Sequence, residues 1–191
     1  MSSIPNYYDG PAEVLGNIRL RQRFFSWKVD GGWISGKTFN VAWTVDAMAA
    51  EVWPYFKDFN LWQNSYGHYY SAILGDIEGQ MCRLSDKPNE PGPHQYRVAR
   101  VIPEHLIVLF QTIPEFNSEE TSSPDCHVFL LNGHPGAKCT EISALMEHHA
   151  LFKNVTEEQA LRPWQEFAPE SHRKFRDIFI PTLNSLVAGS K

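Results

Sequence analysis

Residues Val41 to Tyr66 read VAWTVDAMAAEVWPYFKDFNLWQNSY, and their pattern decides the fold class of the chain. Phe39, Val41, Trp43 and Val45 alternate with Asn40, Ala42, Thr44 and Asp46, as in a strand with one buried face. Met48, Val52, Trp53 and Phe56 then recur at helical spacing. Asp46 stands where an N-cap belongs, because its carboxylate can accept from the free N–H groups of a first turn. A second short, aromatic-rich helix follows toward Tyr66. A strand followed by two short helices that close one end of a curved sheet opens a fold that encloses a cavity. The segment therefore predicts a container for a small apolar molecule.

Composition sets the outer bounds. The 191 residues predict one domain with an appended arm. A hydrophobic content of 42% supplies a real core, and aromatics at 13% suit pocket walls as well as packing. The net charge of -5 argues against a nucleic acid or an anionic membrane held by bulk charge. The local basic groups, Arg19, Arg21, Arg23 and later Arg173, Lys174 and Arg176, read as solvated faces. Three cysteines with no CxxC pair suit reduced thiols, and MSSIPNYYDG lacks the pattern of a secretory signal, so a cytoplasmic location is expected. No run of about 18 apolar residues occurs, so no membrane insertion is expected.

Residues 1–36 read as an N-terminal extension, and 37–191 as the ligand-binding domain. Val14 to Trp33 mixes bulky apolar residues with basic ones; a helix or a strand pair fits it, with a role in a homodimer or as a lid left open. Strands are predicted over 69–74, 80–84, 96–102, 106–113, 126–131 and 139–149. Proline-rich and polar loops lie at 86–93 and 114–125, and Asn132-Gly133-His134-Pro135-Gly136 forms a turn cluster. Thr156, Glu157 and Glu158 open a helical tail with a cap and an acidic first turn. Pro163 and Pro169 are expected to break its first part. A long final helix over 170–187 carries Phe175, Ile178, Phe179, Leu183, Leu186 and Val187 on an apolar stripe, with a kink at Pro181.

With these residues in place, the chain resembles the START-like, or SRPBCC, superfamily of polyketide cyclases and dehydrases, Bet v 1-type carriers and lipid-transfer domains. The resemblance rests on Ala50-Glu51-Val52-Trp53 followed by Asp58-Phe59-Asn60-Leu61-Trp62, on Glu78-Gly79-Gln80 opening a strand, and on Gly136-Ala137-Lys138-Cys139-Thr140 opening the last one. It covers about residues 37 to 188. It implies an α+β helix-grip fold, with about seven antiparallel strands curved around a long C-terminal helix and two short helices after the first strand. It also implies a deep, mostly apolar pocket for a hydrophobic small molecule, and, in the members that are enzymes, cyclase, dehydratase, isomerase or lyase chemistry without a cofactor. The superfamily has no universal catalytic residue, so the chemistry must be read from the polar groups of the pocket.

Eight histidines are available for proton transfer near neutral pH. His148 shares the alternating face of Thr140, Ile142, Ala144 and Met146, which points it toward the cavity. His68 lies between Tyr66 and Tyr70, and a histidine beside two tyrosines could hold and protonate a carbonyl or phenol oxygen. The catalytic candidates are therefore His148, His68 and Tyr70. The candidate ligand contacts are Trp62, Tyr66, Arg97, Phe110, His127, Met146, His172, Phe175 and Phe179. Among these, an inward Arg97 would suit a carboxylate or phenolate ligand. Parity is open for 96–102 and 126–131, because both faces of His127's strand are apolar. His148 and His149 point to opposite faces, and HExxH, CxxC and HxH are absent, so no metal is expected. A pure carrier or sensor of lipid or aromatic ligands is the rival reading.

Overall fold

The computed structural model describes residues 4–59, 69–70, 77–85, 94–112, 125–134, 136 and 138–189. Within them, one antiparallel sheet carries the molecule. The strands are β1 (Asn6–Leu15), β2 (Ile18–Val29), β3 (Gly32–Val45), β4 (Tyr69–Tyr70), β5 (Met81–Ser85), β6 (His94–Ile102), β7 (Leu106–Thr112), β8 (Asp125–Gly133) and β9 (Thr140–Lys153). Their spatial order is β1-β2-β3-β9-β8-β7-β6-β5-β4. β3 and β9, the first and last strands of the helix-grip core, pair along their whole length, from Gly32 with Lys153 to Val45 with Thr140. Seven strands, β3 to β9, make the expected core sheet. Most of residues 1–36, expected as an extension, form a strand pair: β1 and β2 continue the same sheet outward from β3, which itself starts at Gly32.

The predicted alternation is what buries one face. Phe39, Val41, Trp43 and Val45 of β3 face Met146, Ala144, Ile142 and Thr140 of β9, and all eight are buried. β8 continues the same face with Phe129 and Leu131, and β7 with Ile107 and Leu109.

Helix α1 (Ala49–Phe56) buries Val52, Trp53 and Phe56. Asp46 does not cap it. The Ala47 N–H donates to the Val45 carbonyl (2.9 Å), so the chain turns tightly at Asp46 and the helix begins three residues later. Glu51 serves that end instead, accepting from the Met48 N–H at 2.8 Å. The second short helix expected before Tyr66 lies outside the described residues.

Helix α2 (Glu157–Lys174) opens with a capping box: Thr156 Oγ1 accepts from the Gln159 N–H (3.2 Å), and Gln159 Oε1 accepts from the Thr156 N–H (2.8 Å). It runs unbroken through Pro163 and Pro169, against the expectation from sequence. Tertiary bonds hold it there. Ser35 Oγ donates to the Ala160 carbonyl (2.6 Å), Gln22 Nε2 to the Ala168 carbonyl (3.0 Å), and Lys37 Nζ to Ser171 Oγ (3.0 Å). The irregularity falls later, in a π-helical turn at Phe175–Phe179, before α3 (Ile180–Gly189). The wide turn ends just before Pro181, whose ring would crowd the Asp177 carbonyl in a regular α-helix. It places both Phe175 and Phe179 in the core. Phe175 meets Phe39 edge-on (5.2 Å between ring centroids), and Phe179 meets Trp43 (6.0 Å).

Two carboxylates tie β1 to the helical tail. Glu157 Oε1 accepts from Asn6 Nδ2, the Tyr8 hydroxyl and the Ser26 hydroxyl, and these donors hold the Glu157 carboxyl below its ordinary pKa. At the other end of α2, Glu13 takes His172 Nδ1 (3.3 Å) and Arg176 Nη1 (3.0 Å). Burial pushes the Glu13 pKa up, but these two hydrogen bonds and the Arg176 charge outweigh it and leave it lowered.

Candidate functional site

Sheet register brings three polar groups together on the inner face of β3, β9 and β8. Lys37 pairs directly with His148, and His127 pairs with Met146, two residues along from His148. Gly36 keeps the strands close at this point. A Cβ there would collide with the His148 carbonyl oxygen and come within 2.6 Å of the Phe25 ring. The His127 and His148 rings stand edge to face with centroids 5.0 Å apart, and Tyr96 of β6 meets His127 from the other side at 5.4 Å. Phe129 and Met146 supply apolar surroundings, and both are buried.

His127 is 6% exposed, and its Nε2 is buried with no hydrogen-bond partner among the described residues. Burial, and then the neighbouring His148 and Lys37 charges, hold its pKa well below the ordinary histidine value. At neutral pH the ring is therefore a neutral imidazole, with one N–H and one lone pair. Lys37 is only 8% exposed and keeps Ser171 as a hydrogen-bond partner. Two imidazoles, a phenol ring and an ammonium on one largely apolar face can pass a proton and stabilise an anion formed beside it.

The structure sorts the other candidates. Met146 lies on this face, as do the buried rings of Phe175 and Phe179, although those two pack against Phe39 and Trp43 as core. Arg97 and Phe110 are corrected: they are paired across β6 and β7, and both are exposed on the opposite face of the sheet. The reason is parity, since Tyr96 and Val98 are the buried residues of β6, and Arg97 between them must point away. His172 is also corrected. It sits not at a mouth but 1% exposed, stacked on Phe39 at 5.1 Å and bonded to Glu13, as a strut between β1 and the helical tail. Trp62, Tyr66 and His68 lie outside the described residues; Tyr70 is placed only as the register partner of Leu84. Lys37 and Tyr96 were missed from sequence. Counting back two residues from Phe39 along its own alternation lands on Lys37, so a signal for it existed; none existed for Tyr96. Among the described residues, no three His, Cys, Asp or Glu side chains group as metal ligands would.

The buried histidines predict an acid-sensitive fold. Burial is also the main cause that lowers the His172 pKa, against the opposing pull of Glu13. A histidine whose pKa is lowered on folding binds fewer protons folded than unfolded once the pH falls below about 6.5. Stability is then full above that value and declines as pH drops toward the folded pKa values. Urea midpoints at pH 7.5 and 5.5 should show that decline, with a smaller one in His127→Phe. An equal decline in the variant would mean that His127 is not its source.

No family model and no curated protein matches the chain. Solved structures do. A protein of unknown function from Staphylococcus aureus superposes with a TM-score of 0.58 at 10% identity, covering 81% of this chain and 96% of that one. A truncated norcoclaurine synthase from Thalictrum flavum gives 0.54 at 13%, covering 82% and 96%. An HSP90 activator from Plasmodium falciparum gives 0.50 at 11%, covering 79% and 96%. The chain thus shares an α+β, helix-grip fold with these structures, the fold that the sequence resemblance implied. At these identities the likeness is one of fold, and the activities of those proteins are their own.

Proposed function

We propose that the protein is a cofactor-independent enzyme that moves protons on a hydrophobic aromatic or polyketide-like molecule, of cyclase, dehydratase, isomerase or lyase type. The observation that carries this reading is the neutral, buried His127, with Nε2 unpartnered among the described residues, edge-on to His148. One imidazole takes a carbon-bound proton, and the electron pair left behind moves onto a carbonyl oxygen, giving an enolate. The Lys37 charge and a tyrosine hydroxyl favour that anion, and the imidazolium returns the proton at a second atom. His68 and Tyr70 stay in the proposal as partners of His148. That one solved structure with this fold is a norcoclaurine synthase fits the reading without carrying it. The free thiols of Cys126 and Cys139 suit the cytoplasm we assign to the protein.

The experiment is carbon–hydrogen exchange in D2O, followed by NMR, over a panel of aromatic ketones and poly-β-ketone mimics. Protein-dependent deuterium uptake that fails in His127→Ala/His148→Ala supports the enzyme. Ligands that raise the melting temperature but never exchange or turn over point instead to a carrier, a reading favoured by the apolar remainder of this face.

A further inference from the structure

The outer face of the sheet carries a second feature, unrelated to the histidines. Register aligns Arg19, Ala42, Ser143 and Leu130 in one cross-strand row, and Arg21, Asn40, Leu145 and Val128 in the next. Ala42 and Ser143 are small and adjacent, so taller neighbours surround a trough. Leu130 and Leu145 stand on one side, 39% and 42% exposed, and Val14, 74% exposed, forms the β1 rim. The resulting groove measures about 430 Å³ and is lined by these residues, with Arg19 and Arg21 of β2 between the β1 rim and Ala42. That volume lies in the roughly 300–1,000 Å³ range of small-molecule sites.

Charge specifies the occupant. Arg21 is paired with Asp9 at 3.2 Å, whereas Arg19 has no ion-pair partner among the described residues. Glu13 also borders the groove, but its carboxylate is turned to the inner face, where His172 and Arg176 hold it. The groove therefore offers an apolar trough flanked by a guanidinium that has no ion-pair partner among the described residues. A guanidinium binds a carboxylate through paired N–H donors, and exposed aliphatic walls are covered by an alkyl chain. We propose that this groove binds a long-chain carboxylate, its alkyl chain lying over Ala42 and Ser143 and its carboxylate on Arg19.

The test is calorimetric titration with dodecanoate below its micellar concentration, with dodecanol as the uncharged control. Dodecanoate should bind with the stronger affinity. Arg19→Glu should weaken it at least tenfold, and so should Ala42→Trp, which fills the trough from a surface position. His127→Ala/His148→Ala should bind it as the native chain does, which separates this groove from the inner site. Amide NMR shifts should centre on Ala42, Ser143 and Leu145. If Ala42→Trp does not fold, Ser143→Phe replaces it. Absence of binding, equal affinity for dodecanol, or affinity lost only in the histidine variant would overturn the proposal. So would a dimer, seen by sedimentation without dodecanoate, that Ala42→Trp disperses, since the occupant would then be a second copy of the chain.

Discussion

His148→Ala should lower turnover by about 10²–10⁴-fold, the contribution typical of a positioned acid or base. Ligand affinity should stay within about tenfold, equivalent to about 1.4 kcal/mol. The split follows from geometry. His148 borders the buried His127 ring and shares a register position with Lys37, but the apolar area that would hold a hydrophobic ligand comes from Phe129, Met146 and their neighbours. In the proposed reaction, removing one imidazole takes away a proton carrier and little surface. His148→Gln, which keeps the hydrogen-bonding capacity but cannot titrate, should be as inactive as His148→Ala. Unchanged kcat in either variant removes His148 from the chemistry. Parallel loss of binding and turnover makes it an anchor for the ligand instead.

Phe175→Ala should cost about 3–5 kcal/mol of stability, as large aromatic deletions in cores do. That is a large share of the roughly 5–15 kcal/mol typical of a whole domain. Phe175 is 0% exposed and makes edge contacts with both Phe39 and Phe179, so β3 and the π-helical turn lose packing together. The π-helical turn exists where Phe175 and Phe179 enter the core, and the cavity left would open beside the His172–Glu13 strut. Urea denaturation measures the effect as a shift in midpoint at constant slope. A cost below about 1 kcal/mol would show that the helical tail is held mainly by its polar ties to β1, β2 and β3. In that case Glu13→Gln and Glu157→Gln should prove the more damaging changes.

β3 and β9 were readable from sequence because each has one buried face. The alternation of Phe39 to Val45, and of Thr140 to His148, could be satisfied in one register only. β8 was not readable in that way: His127, Phe129 and Leu131 alternate with residues that are also apolar, so pattern could not choose a face. Nor could it weigh Pro163 and Pro169 against the side chains of Gln22 and Ser35, more than 120 residues away, that hold α2 through them.

By itself, then, the sequence determined the strand–helix–sheet–helix order, the inward face of the first and last core strands, and His148 as a residue of that face. Hydrophobic periodicity is a local signal, and those features are local. Tertiary structure decided what stands opposite His148. Lys37, His127 and Tyr96 lie 111, 21 and 52 residues from it along the chain and meet through strands β3, β8 and β6. Their proximity comes from sheet register, and the neutral state of His127 from burial, neither of which any single stretch of sequence contains. Residues 41–56 specify a core strand and the helix that packs on it, and cross-strand pairing decides which polar groups meet on the inner face of the sheet.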